Sequence, residues 1–592
     1  MPSLKCPVMF TSRISKVSSS LVFLSALLLV ATAHAQPSKG LQILLTRGLQ
    51  SQALSQWSDY WTYSTYTNAN YTSVNWGGES RPDWMGPGMS WSRWAPDETQ
   101  MPPQDMGYGD EALFMTNLFA LQLADEWNLM DDSTRTRLVN WFNNVRASFP
   151  NTILYHNNYG GQVPDQYLGD FISRAQPDML SWDTYPFHIG GNGRPYNWYG
   201  DLWRYRQFGL GYQLPTALYR QCYHSTDEGI RDPSPSELRL MTSMALAYNY
   251  KMVCDFVYNA GATSLFTIDQ TGYNGDTGAP KPLYTEVQDV NRRASNLGKA
   301  LIRLTPVYDM HNTNTANPPP GPASSDPNFQ NGLTTSIMWL QGRYLSNGTT
   351  NLNVLPLYDF QTDPQASGNT ANQNNAYYSW WEFAVNDRYF NGWTVTNKAG
   401  VKNDGLIGDM VIAWFHPIDD GYSPGKNTNE VYIMVVNALS DATGTAADCL
   451  QQIKINFLVG TNVTAIEMLD PQTGLVSTNT MPVVAGSGST TKRQLVLDLN
   501  GGDAALFKFS DGVPFVTLPV AGKLSATSVN GQANFALRGP YARNYRIEYS
   551  TSLTSGSWNT LTNVQVSAAT GNVGFTDPAG SAARFYRAIA LP

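Results

Sequence analysis

Residues 118–128, LFALQLADEWN, decide how the first half of this 592-residue chain folds. An apolar run interrupted by one glutamine ends on two adjacent acids, Asp125 and Glu126, where a turn residue would be ordinary. A parallel barrel gives such an ending a purpose, because barrel enzymes carry their chemistry on the C-terminal ends of the strands. Other stretches repeat the arrangement. His156, Asn157 and Asn158 follow TILY, WDTYPFH at 182–188 follows DMLS, YRQCYH at 219–224 follows a short run, and Asp269 with Gln270 follows TSLFTI. Together these strand ends aim polar and aromatic groups at one mouth.

The patterning predicts strands at 41–48, 118–125, 152–158, 178–186, 215–224 and 263–269, with helices at 133–149 and 234–260. The second helix opens on Ser234, Pro235 and, three residues after the serine, Glu237, which is helix-start order and places Glu237 in a capping box. Alternation of this kind implies a parallel sheet with helices outside it. So many units in this length fit a closed (β/α)8 TIM barrel over 36–311, two of whose strands should lie within 49–117. TRGLQSQ, after the first apolar run, lacks the glycine spacing of a dinucleotide loop. Residues 312–328, NTNTANPPPGPASSDPN, read as a linker. Beyond them the pattern turns to alternating strands: a β-sandwich over 329–512 and a small C-terminal sandwich over 513–592. The expected fold class is therefore α/β plus all-β, a TIM barrel followed by two β-sandwich domains.

The first 35 residues have the anatomy of a secretory signal peptide: basic Lys5, Arg13 and Lys16, the apolar run LVFLSALLLVA, then AHA before Gln36. The expected location is secreted or periplasmic, with association to a cell surface compatible and no stable membrane insertion after cleavage. Losing three bases and no acids moves the formal charge from -8 to -11. So acidic a chain is a poor partner for nucleic acid. Cys222, Cys254 and Cys449 are too few for a disulfide scaffold, though one bridge is compatible with export. The 32 Tyr, 17 Trp and 23 Phe against 14% charged residues suit half-wet surfaces that stack on sugar rings.

Cleaving a glycosidic bond requires one carboxylic acid to protonate the leaving oxygen and one carboxylate to attack or to activate water. Glu126 is the acid candidate, with the longer side chain at the strand tip beside Trp127, whose apolar face favours the protonated form. Asp125 is expected to accept hydrogen bonds inside the barrel. The second carboxylate is Glu228, in the loop HSTDEGIRDPSPSE, or Asp183, or Asp269. His156, Asn157, Asn158, Tyr185, Gln221, Tyr223 and His224 are candidates to read sugar hydroxyls. Trp76, Trp84, Trp91, Trp94 and Trp182 are candidate stacking faces. No histidine pair has HExxH spacing, so neither metal nor cofactor is expected.

On these residues the chain resembles secreted (β/α)8 glycoside hydrolases of the large retaining clan, galactosidase-like enzymes among them. ALQLADEWN is similar to their strand-end motif, in which Asn-Glu or Asp-Glu closes the fourth strand and the Glu is the acid/base. Glu126 matches that Glu, and Asp125 stands where Asn is common. QPDMLSWDTYPF, LPTALYRQCYH and RDPSPSELRLMTSMALAYNYKMVCDFVY look like the second half of such barrels, and GDMVIAWFHP, EVYIMVVNA and GGDAALFKF like their β-domain. The resemblance implies glycosidase activity on a poly- or oligosaccharide. The clan places its nucleophile at the end of the seventh strand, where YRQCYH has no acid before Asp227 and Glu228. Either Glu228 has taken that role, or the reaction inverts with another base, or the barrel has lost activity. The competing functions are a non-catalytic carbohydrate-binding surface protein and a polysaccharide lyase. An esterase is disfavoured, since the barrel region has no GxSxG elbow.

Overall fold

A computed structural model describes residues 37–55, 63–77, 90–102, 112–115, 117–161, 163–190, 198–259, 265–267, 279–306, 337–340, 390–398, 410–418, 430–487, 489–510, 515–516, 523–529, 532–538, 544–552, 558–566, 572–577 and 584–590. The leader, the linker, Trp84 and Asp269 lie outside the described residues.

Eight parallel strands close into a barrel in chain order: β1 (Gln50–Ser55), β2 (Val74–Trp76), β3 (Trp91–Ala95), β4 (Leu118–Asp125), β5 (Ile153–Tyr159), β6 (Leu180–Asp183), β7 (Thr216–Gln221) and β8 (Met252–Asn259). The β1–β8 pairing, Gln50 against Met252 onward, seals it. Helices α1 (Lys39–Arg47), α2 (Tyr63–Asn68), α3 (Ala112–Met115), α4 (Asp132–Val145), α5 (Asp165–Ala175), α6 (Trp198–Tyr212), α7 (Pro235–Ala247) and α8 (Pro282–Leu301) precede, connect and follow the strands.

Local chemistry sets the helix ends. Asp131 caps α4 by accepting from the Thr134 N–H, and Ser234 with Glu237 forms the expected capping box on α7 behind Pro235. Two expectations are corrected. LQILLTRG is not the first strand; it is helix α1, and β1 begins after Gly48, whose φ of +87° ends the helix. The stretch 234–260 is not one helix, because α7 stops at Ala247 and Asn249, at φ +71°, turns the chain into β8. The last barrel strand is therefore β8, and 265–267 forms only a bridge, Phe266 to Pro280.

Beyond the barrel, the strands are β9 (Leu304–Pro306), β10 (Ile337–Leu340), β11 (Phe390–Asn397), β12 (Met410–Pro417), β13 (Tyr432–Asn437), β14 (Gln451–Gly460), β15 (Ala465–Leu469), β16 (Val476–Thr480), β17 (Val483–Ser487), β18 (Thr490–Leu499) and β19 (Ala504–Phe509). They make two antiparallel sheets, β10-β12-β13-β19-β15-β16 with β9 beside β12, and β11-β14-β18-β17. Strands β12 and β13 read as unbroken apolar runs because both their faces are covered. Ile412, Trp414, Ile433 and Val435 pack toward the second sheet, while Val411, Ala413, Met434 and Val436 join the barrel's own core. Two further three-stranded antiparallel sheets lie within 523–590.

The β-domain meets α7 through backbone. Gly501 and Gly502 lie against Ser236 and Leu240, and the Asp441 carbonyl accepts from the Ser234 hydroxyl at 2.6 Å. Gly502 has φ +74°, and a Cβ there would run into the Leu240 nitrogen and the Ser236 oxygen. Gly502→Ala should therefore lower stability by more than about 1 kcal/mol, read as a lower urea midpoint at unchanged slope.

Candidate active site

The C-terminal rim of the barrel is shaped by a bulge in β4. Gln122 pairs with Tyr155 but Asp125 with Asn157, so β4 holds one residue more than β5 there. Ala124 and Glu126 take the left-handed φ values of +61° and +50° that accommodate it. Non-glycine residues in that region carry strain, which concentrates at functional sites. The bulge turns the Asp125 carboxyl inward and leaves Glu126 exposed at the rim, its N–H donating to the Asn157 carbonyl at 2.9 Å.

Asp125 ends a polar chain that fills the barrel where aliphatic layers are usual. The Asn75 amide donates to the Tyr219 hydroxyl at 2.7 Å, which donates to Gln122 Oε1 at 2.7 Å. Gln122 Nε2 and Asn157 Nδ2 each donate to Asp125 Oδ1 at 3.0 Å, and the Ser181 hydroxyl donates to Asn157 Oδ1 at 3.0 Å. Asp125 thus accepts hydrogen bonds inside the barrel, as expected from its place. Burial pushes its pKa up to about 6, Glu126 adds to the rise, and the two amides oppose it.

Asp183, at the end of β6, is 5% exposed. Burial, and then the nearby Glu126 and Asp125 carboxyls, raise its pKa well above the usual carboxylate range. Tyr185 donates to Asp183 Oδ2 at 3.1 Å. In the neighbouring loop after β7, Tyr223 donates to Glu228 Oε2 at 2.7 Å. The two tyrosine rings meet edge to face at 4.9 Å, and Phe256 packs against both. Half-buried Trp94 joins this cluster, its buried indole N–H without a partner.

The structure thus brings Asp125, Glu126, Asp183, Tyr185, Tyr223, Glu228 and Trp94 to the mouth. Asn157 and Gln221 also face inward, but their amides are committed to protein groups. His224 is half-buried in the loop after β7.

The other candidates sit elsewhere. The His156 ring lies in the layer between sheet and helices, against Phe171 of α5, with Nδ1 2.9 Å from the Leu123 carbonyl. Burial lowers its pKa to about 4, so it is neutral. Asn158 donates to the Ser181 carbonyl. Trp182 is buried in the same layer, stacked on Tyr205 and donating to the Tyr250 hydroxyl at 2.8 Å. Trp76 and Trp91 are buried as well. Trp127 does not cover Glu126; it packs on Trp141 beneath the Arg137 guanidinium. The residues that sequence reasoning passes over are Gln122, Asn75, Tyr219 and Phe256. Their signal is a polar or aromatic side chain every second position within short strands.

A groove of about 700 Å³ lined by Glu98, Arg137 and Trp141 runs along the outer face of α4, where Glu98 and Arg137 already pair. Among the described residues no cluster of His, Cys, Asp and Glu is arranged to hold a metal, and no helix is long and apolar enough to cross a membrane. The three described cysteines are buried and are not disulfide-bonded to one another.

No family model matches the chain. No curated protein matches it either. Solved structures do. A β-galactosidase from Marinomonas ef1 is 17% identical, with 29% of each chain covered and a TM-score of 0.22. A GH2 β-galacturonidase from Eisenbergiella tayi is 13% identical, with 41% of this chain and 51% of that one covered and a TM-score of 0.29. This chain therefore spans 29% and 51% of those two structures. A cycloisomaltooligosaccharide glucanotransferase from Paenibacillus sp. is 7% identical, covering 79% of this chain and 85% of that one, with a TM-score of 0.38. Likeness at these scores assigns neither family nor activity.

Proposed function

We propose that this chain is a glycoside hydrolase that cleaves an O-glycosidic bond of a poly- or oligosaccharide at the barrel mouth. The observation that carries the reading is buried Asp183, its carboxyl raised by burial and by the nearby Glu126 and Asp125, in a mouth walled by Tyr185, Tyr223 and Trp94. A carboxyl whose hold on its proton is strengthened by burial and by neighbouring carboxyls suits general-acid chemistry. Asp183 stores the proton. Glu126, exposed at the rim, relays it to the leaving oxygen, and the aromatic faces bind sugar rings.

The two carboxyls that flank the bond stand about 5 Å apart in retaining enzymes and about 6.5–9.5 Å in inverting ones. Glu228, which accepts from Tyr223, is the group assigned as the second carboxylate. The test is hydrolysis of a broad panel of poly- and oligosaccharides by the wild-type chain, read as new reducing ends. Cleavage of one class is expected. A chain that binds a glycan and cleaves nothing is a binding protein, and unsaturated uronate products would mark a lyase.

A further inference from the structure

Gln221, the last residue of β7, is by its sequence position a candidate to read sugar hydroxyls. Its amide is instead fully engaged with protein backbone. Oε1 accepts the Phe187 N–H at 2.9 Å, and Nε2 donates to the Phe187 carbonyl at 3.0 Å and the Arg231 carbonyl at 2.6 Å. One side chain therefore holds both the loop after β6 and the loop after β7. The backbones of those loops pair as well, Ile189 N–H to the Gly229 carbonyl at 2.8 Å and Arg231 N–H to the Phe187 carbonyl at 3.2 Å.

Arg231 completes the join. Its guanidinium donates to the His188 carbonyl and, through two nitrogens at 2.7 and 2.5 Å, to both oxygens of Glu237. Glu237 is wholly buried in the capping box of α7, the helix that the β-domain packs against. The clasped loops carry the two tyrosines that donate to the candidate acids, Tyr185 to Asp183 and Tyr223 to Glu228.

We infer that Gln221 and Arg231 are positioning residues: by tying these loops together and to α7, they fix where Glu228 stands relative to Asp183. The inference rests on the mouth being the site of glycoside cleavage. Both side chains are engaged with protein groups, so each acts through the groups it places, and misplacing a reacting group by about 1 Å can cost about 100-fold in rate.

The experiment compares wild type with Gln221→Leu, using Arg231→Lys instead if the first does not fold. Amide hydrogen exchange on the full chain should rise at least about 10-fold in 185–190 and 223–231 together, leaving the barrel strands protected. No change in either loop, or a rise spread over the strands, overturns the clasp. On the cleaved glycan, kcat should fall about 10- to 100-fold with KM changed less than about 3-fold. Adding Gln221→Leu to Glu228→Gln should cost less than about 3-fold more, because both changes disable one group. Multiplying losses would show that the clasp acts elsewhere. A wild type that cleaves nothing sinks the functional reading, and the exchange comparison still decides the clasp.

Discussion

Glu126→Gln should cut hydrolysis by at least about 100-fold, within the range for losing proton transfer, while the chain keeps its fold, because Glu126 is exposed. Asp183→Asn should cost activity comparably and behave differently in stability. Asp183 is buried, with its carboxyl held protonated above the unfolded range by burial and by Glu126 and Asp125. A folded pKa above the unfolded value of about 3.9 means that the folded state binds the extra proton. The associated stability is present below about pH 4 and is lost as pH rises through the folded value. Asp125 follows the same sign, losing stability between about pH 4 and its own value of about 6. Asparagine has no proton to lose. Asp183→Asn should therefore match wild type at pH 4 and exceed it at pH 8 by at least about 1 kcal/mol, since a tenfold difference in proton affinity between folded and unfolded chains is worth about that much. Denaturant melts at the two pH values check this. Wild-type activity surviving in either variant would remove the pair from the mechanism, and a destabilised Asp183→Asn at pH 8 would remove the buried-acid account.

Such a trade of stability for chemistry explains why β4 is the most legible strand. An apolar run must leave the core somewhere, and ending on two acids is costly unless the acids have work there. Other elements are hidden for physical reasons. Gln50–Ser55 has no apolar alternation, because its inward Gln52 meets the Ser92 hydroxyl at 2.9 Å in a polar barrel interior. Strand β8 merges with α7 in the sequence because both are buried on nearly every side and rich in apolar residues, and Asn249 in its left-handed turn marks the break. The site is half legible. Residue types at the strand ends point to the mouth, but only their phase along each strand says which of them reach it. With Asp183 facing in, strand alternation sends Trp182 outward to Tyr205, and with Asn157 facing in, His156 and Asn158 turn away from the interior. Gln221 faces in as that rule requires and is still no ligand, since the partners that occupy it come from loops no periodicity describes.

The same phase rule sets up the largest stability effect in the barrel. Arg220, between inward Tyr219 and Gln221, points outward into the helix layer. There it pairs with Asp255 of β8 through two parallel bonds of 2.6 and 2.7 Å, both side chains 1% exposed. Thr242 of α7 and Asn291 of α8 accept from the same guanidinium, and the Tyr71 hydroxyl donates to Asp255. Every polar group of the pair is answered, which a desolvated ion pair needs if it is not to destabilise. Asp255→Ala would strand the Arg220 charge in a dry layer, and the expected loss is about 3–5 kcal/mol in urea unfolding. Replacing both partners, Arg220→Met with Asp255→Leu, should recover at least about half of that loss, because no buried charge is then left alone. A single variant within about 1 kcal/mol of wild type would mean that water reaches this layer. A double variant as unstable as the single would mean that the bonds to Thr242, Asn291 and Tyr71, more than the paired charges, hold α7 and α8 against the barrel.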